Sequence, residues 1–218
     1  PDNSRSDTLG LMLKGRERNR AIIQRLDGWN KSNAQLPRPI EIQTWLLRLS
    51  IEAQSRISPP KTLPTRDAVS SLLMQGKPVL KFDELNLDWV LAEELFRAAA
   101  KALVDESANG QENLKRLREM ATNTPLLKQV ARDYFSNISL SATEHCIDAA
   151  LLEECIHTAL APFLAVQSET LSELVAQELW RRKSCPICGG APDFAFLSRD
   201  QRTRWLICSR CDMEWLFQ

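Results

Sequence analysis

Residues 185–190 read Cys-Pro-Ile-Cys-Gly-Gly, and residues 208–212 read Cys-Ser-Arg-Cys-Asp. Each stretch holds two cysteines separated by two residues, and residues 189–207 lie between the two pairs. Two such pairs, about fifteen to twenty residues apart, are typical of a tetrahedral site in which four thiolates hold one metal ion. The predicted metal ligands are Cys185, Cys188, Cys208 and Cys211.

The residues around these cysteines predict how the backbone turns. Two intervening residues let both sulfurs of a pair face one ion while backbone N–H groups point back at the thiolates. Gly189 follows the first pair and adopts a positive φ at low cost, whereas Asp212 at the equivalent place is a poorer but tolerated choice. Short β-prone runs at 194–197 and 204–207 flank a polar tip at 198–203, which predicts a hairpin. We therefore expect a rubredoxin-like or zinc-ribbon module.

The donor set narrows the metal to two candidates. Thiolates select zinc or iron over hard cations, and a tetrahedral arrangement of four sulfurs suits both ions. The ion either holds together a ribbon too small for a core of its own or takes part in electron transfer. The sequence pattern is compatible with one iron or one zinc, and with either role.

The rest of the chain predicts helices. Apolar residues recur at three- and four-residue intervals over long stretches, which is the period of one helix face. The predicted helices span residues 9–29, 40–57, 65–74, 87–104, 111–120 and 125–135, with 79–87 as a loop. Residues 142–182 predict two helices or one kinked helix, interrupted at Pro162. Thr65 and Thr124 are the predicted N-caps of the helices that follow them.

This pattern predicts a mainly α protein with two parts. Residues 1–183 form a multi-helix domain, and residues 184–218 form the small metal module, because the character of the sequence changes at Ser184 to Cys, Gly, Pro and short β-prone runs. The longest nearly uninterrupted apolar stretch, 159–166, is far shorter than the roughly 20 residues that cross a bilayer. We therefore expect no membrane anchor and, since the cysteines suit metal ligation better than disulfides, a cytoplasmic location.

Charge and motifs argue against several functions. Lys plus Arg and Asp plus Glu are both 28, so the whole chain has no net field that attracts a polyanion. Residues 181–218 nevertheless carry seven basic and four acidic side chains, which keeps a zinc-ribbon nucleic-acid-binding module as the alternative function. We find no G-x-S-x-G, H-E-x-x-H or Gly-rich phosphate loop, so an enzyme is not expected.

The remaining chemically active side chains have plainer interpretations. Cys146 and Cys155 lie nine residues apart on a helical segment, and His145 and His157 lie twelve apart, so neither pair is placed to chelate an ion. We expect each to be a packed or exposed helix residue. Trp180, Trp205 and Trp215 could form a stacking platform for bases, but we expect them to cover the metal site and join it to the helices.

A family resemblance rests on both cysteine pairs and their neighbours. The residues that carry it are Cys185, Cys188, Gly189, Pro192, Cys208, Cys211, Glu214 and Trp215. They resemble the formate dehydrogenase accessory protein family (FdhE), whose first pair reads C-P-x-C-G and whose second is followed by E-W. Upstream, residues 75–78 read Gln-Gly-Lys-Pro ahead of Trp89, like that family's Q-G-K-P segment, and residues 16–26 and 45–54 resemble its early helices.

The resemblance implies a function. Members of the family are cytoplasmic proteins that are needed for active respiratory formate dehydrogenase, contact its catalytic subunit and hold iron in rubredoxin-like sites. The four cysteines would then be iron ligands in an accessory or maturation factor that binds the catalytic subunit. The family carries two further C-x-x-C pairs downstream, which the 218 residues do not contain. The chain therefore resembles either a shortened member with one site or a member whose C-terminal part is not included in these residues.

Overall fold

Seven α-helices and a small sheet make up the described part of the chain. The computed structural model describes residues 15–32, 36–104, 108–140, 147–198 and 203–217. The helices are α1 Gly15–Ser32, α2 Arg38–Arg56, α3 Arg66–Met74, α4 Trp89–Leu103, α5 Ala108–Thr122, α6 Thr124–Phe135 and α7 Ala149–Leu171. The strands are β1 Pro192–Leu197, β2 Arg204–Cys208 and β3 Glu214–Phe217. The predicted fold class, mainly α with a C-terminal metal ribbon, is confirmed.

The first six helix predictions agree with the structure to within a few residues, whereas the predicted helical segment 142–182 is α-helical only over Ala149–Leu171 among the described residues. The first predicted helix is confirmed from Gly15 onward, and its earlier part lies outside the described residues. The predicted loop at 79–87 holds one short 3₁₀ turn, Phe82–Glu84. The long C-terminal segment is one helix, α7, which continues through Pro162 and is followed by 3₁₀ turns at Ser172–Leu174 and Gln177–Leu179.

One predicted helix cap is correct and the other is wrong. The Thr65 side chain accepts a hydrogen bond from the backbone N–H of Ala68 at 3.2 Å, as predicted. At α6 the cap is Asn123, whose side chain accepts from the N–H of Leu126 at 3.2 Å. Thr124 is already helical, and its hydroxyl donates instead to Glu93 on α4 at 2.7 Å. A tertiary partner therefore takes the hydroxyl that the sequence assigned to capping.

α7 is the central helix of the protein. It packs against α4, α2 and α6, and most of its length is buried. By length and composition alone the segment Ala149–Leu174 could cross a membrane, although 56% of its apolar window is buried inside the protein. Burial on several sides explains its apolar character, since a helix that is hydrophobic all round is typical of a protein core.

The sheet is antiparallel with strand order β1-β2-β3. β1 pairs with β2 as the predicted hairpin, with Phe196 opposite Trp205, and a bulge lies between Pro192 and Phe194. β3 pairs with the other edge of β2, with Leu206 opposite Trp215. β3 was not predicted, because a run of four residues after the last cysteine gives too little alternation to identify a strand.

The ribbon is packed into the helical part. One continuous hydrophobic core contains residues of α2 to α7 together with Ile187, Leu206 and Trp215 of the ribbon. The segment after α3 is hydrogen bonded to the first cysteine loop, with the N–H groups of Val79 and Leu80 donating to the carbonyls of Pro186 and Ile187, each at 2.9 Å. The predicted division into two domains, 1–183 and 184–218, stays a prediction, because both parts contribute residues to one core.

Gly76 provides a test of how the end of α3 packs against Arg182, just before the ribbon. It ends α3 with φ +68°, and a Cβ there would lie 2.0 Å from the Arg182 guanidinium. We expect Gly76→Ala to lower the free energy of unfolding by about 1–2 kcal/mol, since the left-handed conformation strains any residue with a Cβ. Chemical denaturation of the metal-loaded protein measures this change.

The matched control is Gly28, inside α1, where a Cβ would meet nothing within 4 Å. Gly28→Ala should raise the free energy of unfolding by roughly 0.5–1 kcal/mol, because alanine loses less backbone entropy in a helix. Equal effects of the two substitutions would contradict the assigned conformation at Gly76.

Candidate metal centre

The four predicted ligands converge in the structure. The Sγ atoms of Cys185 and Cys211 lie 3.6 Å apart, and those of Cys188 and Cys208 lie 3.4 Å apart. All four sulfurs lie within 4.8 Å of one another. A tetrahedral site with metal–sulfur bonds of about 2.3 Å requires sulfurs ~3.8 Å apart, so the observed spacing fits such an ion. Among the described residues, no other group of Cys, His, Asp or Glu is identified as able to hold a metal.

Backbone N–H groups point at the sulfurs, as the two-residue spacing predicts. The N–H of Ile187 donates to Cys185 Sγ, and that of Gly190 donates to Cys188 Sγ, each at 3.4 Å. In the second loop the N–H of Arg210 donates to Cys208 Sγ at 3.4 Å. Hydrogen bonds of this kind stabilise negative charge on sulfur. They would offset part of the charge of four thiolates around a bound divalent ion.

The two loops end in the same unusual conformation. Gly189 has φ +73° and Asp212 has φ +60°, and each residue directly follows the second cysteine of its pair. Both assignments made from the sequence are therefore confirmed. Asp is among the few residue types that visit this region, since its short polar side chain finds local partners. Here the Asp212 carboxylate accepts from Asn19 Nδ2 at 2.9 Å and pairs with Arg18 at 3.2 Å.

The cysteine cluster lies in the interior of the protein. All four cysteines are at most 2% exposed. Burial raises the pKa of the Cys185 and Cys211 thiols, whereas hydrogen bonds from neighbouring thiols lower the pKa of Cys208. A cation at the centre favours thiolates over thiols and so compensates for the lost solvation. The donor set, its spacing and its burial fit a soft tetrahedral ion.

The helical part supports both loops. Pro78, ahead of the residues that pair with the first loop, lies near Gly189, and the Asn137 side chain donates to the Gly189 carbonyl at 3.5 Å. In the second loop the Arg210 guanidinium lies 4.2 Å from the Tyr134 ring centroid and donates to the Phe135 carbonyl at 3.2 Å. The Gln-Gly-Lys-Pro segment therefore lies beside the metal centre, although it is more than a hundred residues away in sequence.

α1 holds the second loop through charge. Arg18 contacts both Asp212 and Glu214, and Asn19 contacts Asp212. Burial raises the pKa of Glu214, although the nearby Arg18 acts in the opposite direction. Sequence reasoning missed Arg18 and Asn19, because one arginine and one asparagine in a charged helix carry no distinguishing spacing.

Two of the three tryptophans near the ribbon join it to the helical part. Trp180 and Trp215 are at most 1% exposed. Their Nε1 atoms donate to the backbone carbonyls of Ser184 at 2.7 Å and Arg182 at 3.3 Å. They are therefore inaccessible to bases, and the prediction that they join the ribbon to the helices is confirmed by their place in the shared core. Their predicted role in covering the metal site stays a prediction. Trp205 is half-buried on β2.

The other cysteine and histidine predictions concern α7. Cys155 is fully buried and His157 is half-buried, with Nδ1 lying 2.9 Å from the Tyr134 hydroxyl. Both are packed helix residues, as predicted, and neither belongs to the metal centre. Cys146 and His145 lie outside the described residues.

The fold and the site together define a class: a helical protein whose C-terminal ribbon carries a buried cluster of four cysteines able to hold a metal ion. Residues 184–218 match the family model "FdhE, central domain". The FdhE protein from Pseudomonas aeruginosa, known from a crystal structure, has a similar fold, with a TM-score of 0.51 and 22% sequence identity. No curated protein sequence matches the chain. The family that the sequence resembles, FdhE, is the one whose central-domain model matches the ribbon.

The structural match covers 80% of this chain and 58% of the Pseudomonas aeruginosa chain. At this level of identity the match concerns the fold, while the family match concerns the ribbon. The two findings are complementary, since the first extends over the helical part and the second contains all four cysteines.

Substituting the cluster cysteines tests metal ligation. Cys188→Ser and Cys208→Ser should each lose most of the bound metal, because a hydroxyl is a poor ligand for a soft ion. Both variants should also unfold at lower temperature, since metal binding to such a site contributes to folding. Elemental analysis and thermal unfolding measure the two effects. Cys155→Ala is the control and should keep one metal per chain; equal metal loss in the control would contradict the assignment.

The reactivity of Cys155 tests its burial. Burial raises the pKa of its thiol to about 12. At pH 8 roughly one molecule in ten thousand then carries the reactive thiolate, so iodoacetamide should leave Cys155 unmodified in the folded protein. Peptide mapping by mass spectrometry after quenching measures this. Labelling at the rate of an exposed thiol would exclude the buried position, and unfolding in denaturant should restore full labelling.

Proposed function

We propose that this protein is an accessory factor for the maturation of a formate dehydrogenase and binds the catalytic subunit of that enzyme. The observation that carries the proposal is the match of residues 184–218, with all four cysteines, to the FdhE central domain. The fold similarity to the Pseudomonas aeruginosa FdhE protein extends the support to the helical part. The proposed client, the catalytic subunit of a formate dehydrogenase, comes from the resemblance to the FdhE family.

We propose one iron ion as the metal, with zinc as the alternative. The resemblance to the FdhE family favours iron, and four sulfurs in a tetrahedral arrangement suit either ion. Bound iron would supply a one-electron couple, whereas zinc has no redox chemistry. In both cases Cys185, Cys188, Cys208 and Cys211 would hold the ion, and the N–H groups of the two loops would stabilise the thiolates.

A role without catalysis of its own is the better interpretation of the centre. Catalytic metal sites keep an open position for water or substrate, while sites with four protein ligands are closed. The four buried sulfurs supply a complete tetrahedral set. None of the five cysteines of the described residues forms a disulfide, which supports a reducing, cytoplasmic setting.

A nucleic-acid-binding ribbon receives less support. Two of its three candidate stacking residues, Trp180 and Trp215, are buried. Arg210 lies on the Tyr134 ring, and Arg204 lies 5.8 Å from the Phe217 ring centroid, so part of the local basic excess already has partners within the protein. The whole chain is neutral, which gives no long-range attraction to a polyanion.

The test is an anaerobic co-purification from cells that produce a formate dehydrogenase. The tagged protein should recover the catalytic subunit, identified by mass spectrometry, and the preparation should contain one iron per chain with thiolate-to-iron charge-transfer bands. An unrelated protein with the same tag controls for non-specific recovery.

The two parts of the proposal can fail separately. Recovery of no formate dehydrogenase subunit from anaerobic, reducing extracts would exclude the accessory role. A colourless protein with one zinc per chain would replace iron by zinc and make the ribbon a structural element.

A further inference from the structure

A cavity of about 400 Å³ lies beside the metal centre, between α7, α1, α2 and the second cysteine loop. Its volume falls in the range of sites that bind small ligands, roughly 300–1,000 Å³. Its polar or charged lining residues on α7 and α6 are Glu153, Glu154, His157, Thr158 and Tyr134. Those on the ribbon are Asp193, Ser209, Arg210 and Asp212.

The charge of this cavity is predominantly negative. Glu153 and Glu154 on α7 and Asp193 on β1 are exposed, and none of the three forms an ion pair within the described part of the chain. The Arg210 guanidinium is already committed to the Tyr134 ring and the Phe135 carbonyl. Carboxylates from two different elements therefore lie around one cavity without a cationic partner.

Thr158 provides an independent sign of a ligand. Its side chain lines the cavity, and the residue is only 6% exposed. Within the described residues its hydroxyl makes no hydrogen bond, yet no wholly buried side-chain N or O atom there lacks a partner. The hydroxyl must therefore reach the cavity surface. A nearly buried hydroxyl without a protein partner is available to form a hydrogen bond with a bound ligand.

On α1 and α2 the wall combines the polar residues Asn19, Gln43 and Ser50 with an apolar part. Leu46 and Leu47 of α2 and Ala161 and Ala165 of α7 line the same cavity. A long side chain that carries a charge at its tip packs its methylene groups along such a wall while the charge stays with polar partners. The cavity thus offers a surface for an aliphatic stem and carboxylates for a cationic end.

We propose that this cavity binds a guanidinium or alkylammonium group on an aliphatic stem, of the kind that an arginine or lysine side chain of a polypeptide carries. The carboxylates of Glu153 and Asp193 receive the cation, and the Thr158 hydroxyl accepts a hydrogen bond from it. Arginine should bind more tightly than lysine, because a planar guanidinium donates to carboxylates in a bidentate manner. The proposal does not depend on which client the protein serves.

Calorimetric titration of the metal-loaded protein at low salt tests the site with three probes. These are acetyl-Ala-Arg-Ala-amide, the same peptide with neutral citrulline in place of arginine, and agmatine. The arginine peptide should bind at least about tenfold more tightly than the citrulline peptide, since hydrogen bonds to charged groups are stronger than those between neutral groups. If agmatine binds as tightly as the arginine peptide, the natural ligand is a small free cation. If the peptide binds clearly more tightly, the natural ligand is an arginine side chain of a polypeptide.

Variants connect the binding to the named residues. The double variant Glu153→Gln, Asp193→Asn should weaken binding of the arginine peptide about tenfold or more and leave metal content unchanged. Thr158→Val should weaken it to a smaller extent. The control is Glu119→Gln, an exposed carboxylate on α5 that does not line the cavity, which should have no effect. Equal binding of the citrulline peptide, absence of binding at millimolar peptide, or full binding by the double variant would overturn the proposal.

Discussion

The convergence of four cysteine sulfurs is the constraint on which the ribbon depends. Three short strands supply few buried side chains, and a module of this size is too small to be stable through a core of its own. Four buried thiols would also be costly to keep together as thiolates without a cation. An ion bound by both cysteine loops would compensate for the small core and for the buried charge at once.

The helical part does more than carry this centre. The backbone of Val79 and Leu80 continues the first loop into the segment after α3, and Arg18 of α1 binds the carboxylates that follow the second loop. The buried rings of Trp180 and Trp215 pack between the two parts, and their N–H groups donate to backbone carbonyls. A protein that binds a client through both parts would present them in a fixed relative position, which suits an accessory factor.

The same packing creates the cavity beside the second loop. Its walls come from helices and from the ribbon, so its carboxylates are neighbours only when the two parts are docked. Glu153 and Asp193 are 40 positions apart in the chain and belong to elements of different type. A partner that recognises this cavity would therefore recognise the assembled protein and not an isolated helix or ribbon.

By itself the sequence determined which four cysteines cluster, the hairpin between them, the positive φ at Gly189 and Asp212, and the mainly helical remainder. These features depend on local spacing, since two residues between cysteines and a three- to four-residue apolar period act within a few turns of chain. Only the tertiary structure decided that Asn123 and not Thr124 caps α6, that Arg18 and Asn19 hold the second loop, and that β3 completes the sheet. The Thr124 hydroxyl meets Glu93, 31 residues away, and Arg18 meets Asp212, 194 residues away, so both contacts form only once distant elements are packed together. β3 is too short for its residue pattern to identify a strand, and only its pairing with β2 defines it.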